Sequence, residues 1–476
     1  MKRMRHSFAE RVHQFFAKLS NIRHRERSEA ISAVKLDLPP RFTLAMRLTA
    51  QNMLKTASVS EVIAVKLKSI EISGMRSIAN AKLELDGLTI LIGENGSGKS
   101  TILEAFEILR RCTESNFLDA IHRIHGGVRG LLGNGASSLE IAAEISDAQH
   151  KFFYRIELEE REGFLVIANE VLEQQDTTGQ TKSLIRFRRT RTEAMVIFAD
   201  PKSAQSVGFE QGQTLLSAGG VDFLTVDTNG AVNRSPLKPA DIKNAFRNIQ
   251  LHAALDTTAS WAAQAAKRSQ TLRKSQVLIY SDRLNTTYEN LSSVLYGLMS
   301  DSDAAVGARI NSHLSLAFGE RFQSLKFPPA GQGEVQLHVQ YRGMDRTVSA
   351  QYLSDGQLAY IALLTAFIAG EQRSLLAIDE PESHLHPALI ARLVSIAETT
   401  AEKTHVILAT HSRGILDALK DPAKQAVLCE LNHLGQTELK RVNAKSLNIW
   451  LENYSGFGEL IASGYASEIF QSAENN

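Results

Sequence analysis

From Val62 the chain alternates apolar and polar residues through VIAVKLKSIEISG and NAKLELDGLTILIG, the two-residue period of half-buried strands. The second stretch becomes continuously apolar at Leu88–Ile92, which predicts a strand buried on both faces of a central sheet. Past a glycine-rich turn, Leu103, Phe106 and Leu109 recur at helical spacing. Residues 112–350 predict a mixed segment, with strands in KFFYRIELEE, GFLVIANEVLE and SLIRFRRTRTEAMVIF and helices in ENLSSVLYGLM and ARINSHLSLAF. The α/β pattern resumes with SLLAIDEPESHLHP and HVILATHSRGIL, each a strand, a turn and the start of a helix. The expected organisation is therefore a nucleotide-fold lobe split into 62–111 and 351–476, with 112–350 inserted as a mixed α/β and helical lobe. No repeat of 20–50 residues and no sustained heptad seam occurs, which excludes a solenoid and a long coiled-coil arm.

The 476 residues are long enough for two or three lobes, and 43% hydrophobic with 22% charged residues is ordinary globular composition. No apolar run approaches the ~20 residues that span a bilayer. A net charge of +1 means that a nucleic-acid surface would be a local patch. Two scattered cysteines, Cys112 and Cys429, make neither a disulfide framework nor a zinc site and fit a reducing cytoplasm. Met1–Met46 carries ten Lys or Arg against four Asp or Glu. Residues 1–61 read as a basic, disordered and dispensable extension; the alternatives are an organelle transit peptide or a basic arm that touches nucleic acid.

The chemistry sits at the predicted turns. Gly93-Glu94-Asn95-Gly96-Ser97-Gly98-Lys99-Ser100 matches G-x-x-x-x-G-K-[ST] between a strand and a helix. Its glycines let successive N–H groups face phosphate oxygens, Lys99 suits the β and γ phosphates, and the Ser100 hydroxyl suits magnesium. Leu375–Asp379 is an apolar strand ending in Asp379-Glu380, where the aspartate can serve the magnesium shell and the glutamate can polarise a water. Leu353-Ser354-Asp355-Gly356-Gln357 precedes the helical run LAYIALLTAFIAG. Alone it reads as an N-cap; ahead of the Asp-Glu pair it reads as a second phosphate contact.

In this order, the pieces resemble the ABC-type ATPase head shared by SMC, RecF and OLD-family proteins. LSDGQ is similar to the ABC signature, with Asp355 where transporters usually carry glycine. IDEPESHLHP resembles the Walker B and D-loop region of OLD-like predicted bacterial ATPases, and ILATHS resembles the switch-histidine strand. GMRSI and LENYSGFGELIASG extend the likeness, which runs from Val62 to Phe470 and is loose in the insertion. The resemblance implies a P-loop NTPase of ABC-ATPase type, with a mixed central sheet and an antiparallel β subdomain. It implies that Gly93, Asn95, Gly96, Gly98, Lys99, Ser100 and Thr101 bind ATP, that Ser100 and Asp379 hold Mg2+, that Glu380 is the general base and that His411 contacts the γ-phosphate. Ser354 and Gly356 would act in trans on ATP held by a second head, making a homodimer. Arg76 would contact a nucleotide phosphate, with a plain surface arginine as the alternative. Gln149 is a Q-loop candidate by order only.

Other features leave the partner open. His384 and His386 lack further metal ligands, and His386 reads as positioning the loop between heads. The run Arg186–Thr192 reads as a basic strand face for a phosphate backbone or as a charged edge strand; Lys267–Lys274 reads as a basic helix face. Three functions compete. One is a DNA-associated or nucleic-acid-sensing ATPase in bacterial anti-phage defence with a separate effector and double-stranded DNA as a candidate partner. The second is a scaffold that sequesters and releases a toxin or nuclease, and the third a transporter subunit, weakened by the long insertion and the missing spans. The residues after Leu416 contain no D-x-D, so the chain is not expected to cut DNA itself.

Overall fold

The hydrophobic pattern is realised in two large sheets and a helical layer. The computed structural model describes residues 65–147, 150–176, 185–190, 194–197, 205–206, 212–217, 224–226, 232–234, 239–257, 271–300, 304–370, 372–443, 447, 456–462 and 470–472. All of them belong to one unit, Ile63–Asn476. The basic extension 1–61 and Gln149 lie outside the described residues.

The central sheet has seven strands in the order Ile249–His252, Leu375–Asp379, His405–Thr410, Leu88–Ile92, Ala426–Leu431, Thr437–Val442 and Phe470–Ser472. The first five run parallel, Thr437–Val442 runs antiparallel to them, and Phe470–Ser472 runs antiparallel to Thr437–Val442. Asp379 pairs with Ala409, and Thr410 with Ile92, so three parallel strands end level with one another. The loops that follow them, carrying Gly93–Gly98, Glu380 and His411, therefore leave the same edge of the sheet, where open α/β sheets bind ligands.

The period of two along these strands divides the interior into two cores. Leu91, Ala377, Ile407 and Val427 face a core shared with Ile102, Phe106 and Leu109 of the helix Lys99–Arg111 and with Ile70, Ile141 and Tyr154. Ile90, Ile378, Leu408 and Leu428 face the other core, shared with the helices Asp355–Ile368, Pro387–Ala401, Leu291–Ser300 and Ala304–Phe318. Every residue from Leu358 to Ile368 is buried, as expected of a helix apolar on all sides.

An antiparallel sheet covers the first core. Its order is Ile78–Glu84, Lys66–Met75, Ser138–Ser146, His150–Arg161, Phe164–Asp176, Ile185–Thr190, Ala194–Ile197 and Gln205–Ser206. The run NAKLELDGLTILIG is thus two strands in two sheets, broken between Glu84 and Leu88, where Leu85 N donates back to Lys68 O at 2.8 Å. The segment between the nucleotide-fold stretches divides its strands in the same way: Ser138–Ser146 pairs with Lys66–Met75, and Ile249–His252 forms an outer strand of the central sheet.

Two readings are corrected here. Ile185–Thr190, which carries most of the arginine-rich run, pairs on both sides and is not an edge strand; Arg191 and Thr192 lie outside the described residues. Of Lys267–Lys274 only residues 271–274 are described: Thr271–Arg273 is a single 3-10 turn, Lys274 is exposed, and Arg273 is 4% exposed, so Arg273 does not stand on a solvated helix face. The mixed parallel sheet, flanked by an antiparallel sheet and a helical layer, is a P-loop NTPase fold of ABC-ATPase type.

Candidate functional site

The phosphate loop is built by close approaches that exclude side chains. A Cβ on Gly93 would stand 2.1 Å from the Cys429 carbonyl oxygen. Gly98 has φ 101°, a backbone conformation that L-residues avoid, and begins the helix Lys99–Arg111. Asn95 and Gly96 are exposed at the loop tip, while Thr101 is buried in the helix. Lys99 is 6% exposed, and its Nζ donates to the carbonyls of Gly93 at 2.7 Å and Glu94 at 2.8 Å, drawing the cation across the loop.

Next along the helix, Ser100 Oγ donates to Asp379 Oδ2 at 2.8 Å, joining residues 279 positions apart. Burial raises the pKa of Asp379 above its ordinary value, and the Ser100 hydrogen bond opposes that shift. A hydroxyl and a half-buried carboxylate are hard oxygen donors of the kind magnesium takes, so Ser100 and Asp379 fit the ion the motifs imply. When bound with ATP, magnesium would neutralise charge on the phosphate oxygens.

Beside this pair, Glu380 takes φ 45°, and its backbone N donates to Ala409 O at 2.8 Å. Its carboxylate Oε1 lies 3.6 Å from His411 Nδ1, and Glu382 Oε1 lies 3.7 Å from the same nitrogen. Glu380 and His411 therefore share one edge with Ser100 and Asp379. Glu382 was given no catalytic role from sequence, yet it organises this edge: its Oε1 accepts from Thr410 Oγ1 at 2.6 Å and from His411 N at 3.2 Å. The DEPE spacing, which returns a second carboxylate past a proline turn, was the available signal.

Arg76 lies at the turn between the first two strands with φ 49°. Its guanidinium forks onto Glu104 of the phosphate-loop helix, at 2.5 and 2.9 Å, and Nε donates to Gly130 O at 3.0 Å. His125 Nδ1 meets the same carboxylate at 2.7 Å. Arg76 is thus an exposed arginine tied to the helix that carries Lys99 and Ser100.

The signature residues form a separate turn. Ser354 caps Asp355–Ile368 in a capping box with Gln357, and Gln357 Nε2 donates to Tyr341 OH at 2.8 Å. Gly356 backs onto the His384 carbonyl; a Cβ there would stand 2.9 Å from it. Among the described residues no hydrogen bond joins Ser354 to the phosphate loop of its own chain. His386 caps Pro387–Ala401, accepting from Ala388 N at 3.2 Å, and no metal-binding cluster of His, Cys, Asp or Glu occurs among the described residues. Both cysteines are free and buried, and burial pushes the Cys429 thiol up to about 12, so neither is a reactive thiol. Among the described residues no helix is long and apolar enough to cross a membrane.

Comparison with known proteins bears on the family and not on the individual site residues. The family model AAA_21, described as "AAA domain, putative AbiEii toxin, Type IV TA system", matches residues 88–417. No curated protein matches the chain. Among solved structures, an SMC head bound to the C-winged helix domain of ScpA shares 12% identity at a TM-score of 0.44, covering 81% of this chain and 99% of that one. The SMC head domain from Thermotoga maritima shares 15% at 0.36, covering 80% and 100%. The Smc head with an extended coiled coil from Pyrococcus furiosus, bound to the C-terminal domain of ScpA, shares 14% at 0.41, covering 82% and 99%. These overlaps are too loose to bear on function.

Proposed function

The chain belongs to the AAA_21 family, an ATPase family of AAA/ABC type, and on that premise we propose that it binds and hydrolyses ATP as a switch whose heads pair on the nucleotide. The observation that carries this reading is the convergence of Ser100 and Asp379 at 2.8 Å, with Glu380 and His411 on the same edge. In this reading Lys99 and the loop amides hold the phosphates, Ser100 and Asp379 hold magnesium, and Glu380 orients and deprotonates the attacking water. His411, within 3.6 Å of Glu380, faces the γ-phosphate and registers its loss.

Among the described residues no hydrogen bond joins Ser354 to the phosphate loop of its own chain, which supports a signature that serves the ATP of another head. A twofold pairing in which each chain completes the other's site meets that need. ATP then closes the pair and hydrolysis opens it, converting binding energy into a change of assembly. A DNA-associated or nucleic-acid-sensing role, in bacterial anti-phage defence with a separate effector, is the biological setting we assign to this switch.

A second reading rests on the family's description, which names a toxin and a "Type IV TA system". Under it, the head pair sequesters and releases a protein partner without binding DNA. The test is steady-state ATP hydrolysis with and without linear double-stranded DNA, together with the solution mass of Glu380→Gln in ATP. Hydrolysis that DNA stimulates and Glu380→Gln abolishes, with the variant trapped as a dimer, supports the first reading. DNA-independent hydrolysis with the same trapped dimer supports the second. A variant that stays monomeric in ATP refutes the head-pairing mechanism.

A further inference from the structure

We infer that Arg273, contributed by the inserted segment, is a positioning residue for the signature turn and so acts on ATP held by the partner head. This rests on the proposal that the signature works in trans.

The geometry is a buried guanidinium with the signature wrapped around it. Arg273 Nη1 donates to the carbonyls of Ala350 at 3.1 Å, Gln351 at 3.3 Å and Leu353 at 2.8 Å, and Nη2 meets Asp355 Oδ1 at 2.5 Å. Nε donates to the Thr257 carbonyl at 3.0 Å. Ala350–Tyr352 is a single 3-10 turn, Leu353 and Ser354 are extended, and Asp355 opens the helix. Arg273 therefore contacts the chain before Ser354 and just after it. A guanidinium suits this place because its donors diverge in one plane and can bind a carboxylate and several carbonyls at once.

The arrangement also accounts for the aspartate that stands in the signature where transporters usually have glycine. At the first helical position Asp355 favours the helix N-terminus, and its carboxylate faces the buried cation. Ser354 itself is exposed, and among the described residues its hydroxyl accepts only the local bond from Gln357 N, so its placement depends on the backbone around it. Through Nε the same guanidinium also joins the chain at Thr257 to the signature turn.

The test uses two variants and a mixing experiment on the full chain. Arg273→Lys keeps the charge and loses the fork; Asp355→Asn removes the ionic partner from a half-exposed position. Each is expected to lower the melting temperature, Arg273→Lys more than Asp355→Asn because the carbonyl partners of the guanidinium are buried, while affinity for a fluorescent ATP analogue holds and kcat falls by about tenfold or more with little change in KM. Mixed with Lys99→Ala, each is expected to regain hydrolysis, because the Lys99→Ala chain donates an intact signature to the variant's intact phosphate loop. Ser354→Arg mixed with Lys99→Ala is the control. If the control regains activity and the Arg273 and Asp355 variants do not, Arg273 serves its own head and the inference is overturned. If the control also fails, the trans-acting signature is refuted, and the inference with it. Wild-type kcat in both variants overturns it directly, and Asp355→Asn alone decides should Arg273→Lys fail to fold.

Discussion

Gly98→Ala asks how firmly the phosphate loop is backed from outside. At φ 101° a side chain costs about 1–3 kcal/mol in backbone strain. The added Cβ would also stand 2.4 Å from Thr437 Oγ1 and 2.9 Å from Thr437 Cγ2. Thr437 has little room to retreat: it is 2% exposed, its hydroxyl pairs with Ser77 Oγ at 2.8 Å, and its N donates to Ser77 O at 2.8 Å. Overpacking of this kind costs about 1–3 kcal/mol, so the single substitution is expected to cost about 2–6 kcal/mol. Thr437→Ala alone loses one hydroxyl pair, about 0.5–1.5 kcal/mol. In the double variant the two close atoms are gone and the nearest remaining Thr437 atom, Cβ, is 3.2 Å away. The steric share is then relieved while the φ strain persists, giving a favourable coupling of about 1–3 kcal/mol. Thermal melting of the four proteins reads this cycle, and binding of a fluorescent ATP analogue reads the loop. Additive losses to within about 0.5 kcal/mol would show that Thr437 does not back the loop and would refute the reasoning.

Two further outcomes follow from side chains already described. Glu382→Ala frees Thr410 Oγ1 and His411 N, so kcat is expected to fall on the order of tenfold while ATP affinity holds; an unchanged kcat would remove Glu382 from the site. Burial, aided by the charge of Arg373, pushes His252 down to about 4, and burial with Lys68 and Lys66 does the same to His405. The unfolded chain takes up these protons near 6.5 and the folded chain only near 4, so stability present above that window is lost as pH falls through it, roughly 3 kcal/mol per histidine. His252→Phe keeps the stack on Tyr288, now at 4.8 Å, and is expected to reduce the acid loss by about half, with His405 supplying the rest. An unaltered slope of melting temperature against pH between 6.5 and 4 would contradict this assignment.

What the sequence by itself determined is local and periodic. LTILI followed by a glycine-rich turn and a GKS helix start specifies a buried strand, a phosphate loop and a helix, because each depends on neighbours in the chain. The Asp379-Glu380 pair at a strand tip and the histidine after ILAT were legible for the same reason. Other features depended on which distant segments meet. NAKLELDGLTILIG looks like one run, and only the pairing of Leu85 with Lys68 and of Val406 with Gly87 sends its halves to different sheets. RFRRTRT has the composition of an edge strand, but strand order is decided by partners on both sides, and its described part, within Ile185–Thr190, has two. Arg273 shows the limit most clearly. In the sequence it belongs to a basic stretch of the kind that usually faces water. In the fold, a set of carbonyls and one carboxylate far along the chain supplies the hydrogen bonds that make burying its charge tolerable. Periodicity reports whether a side chain is apolar; only tertiary structure reports whether a polar one has found enough partners to leave water.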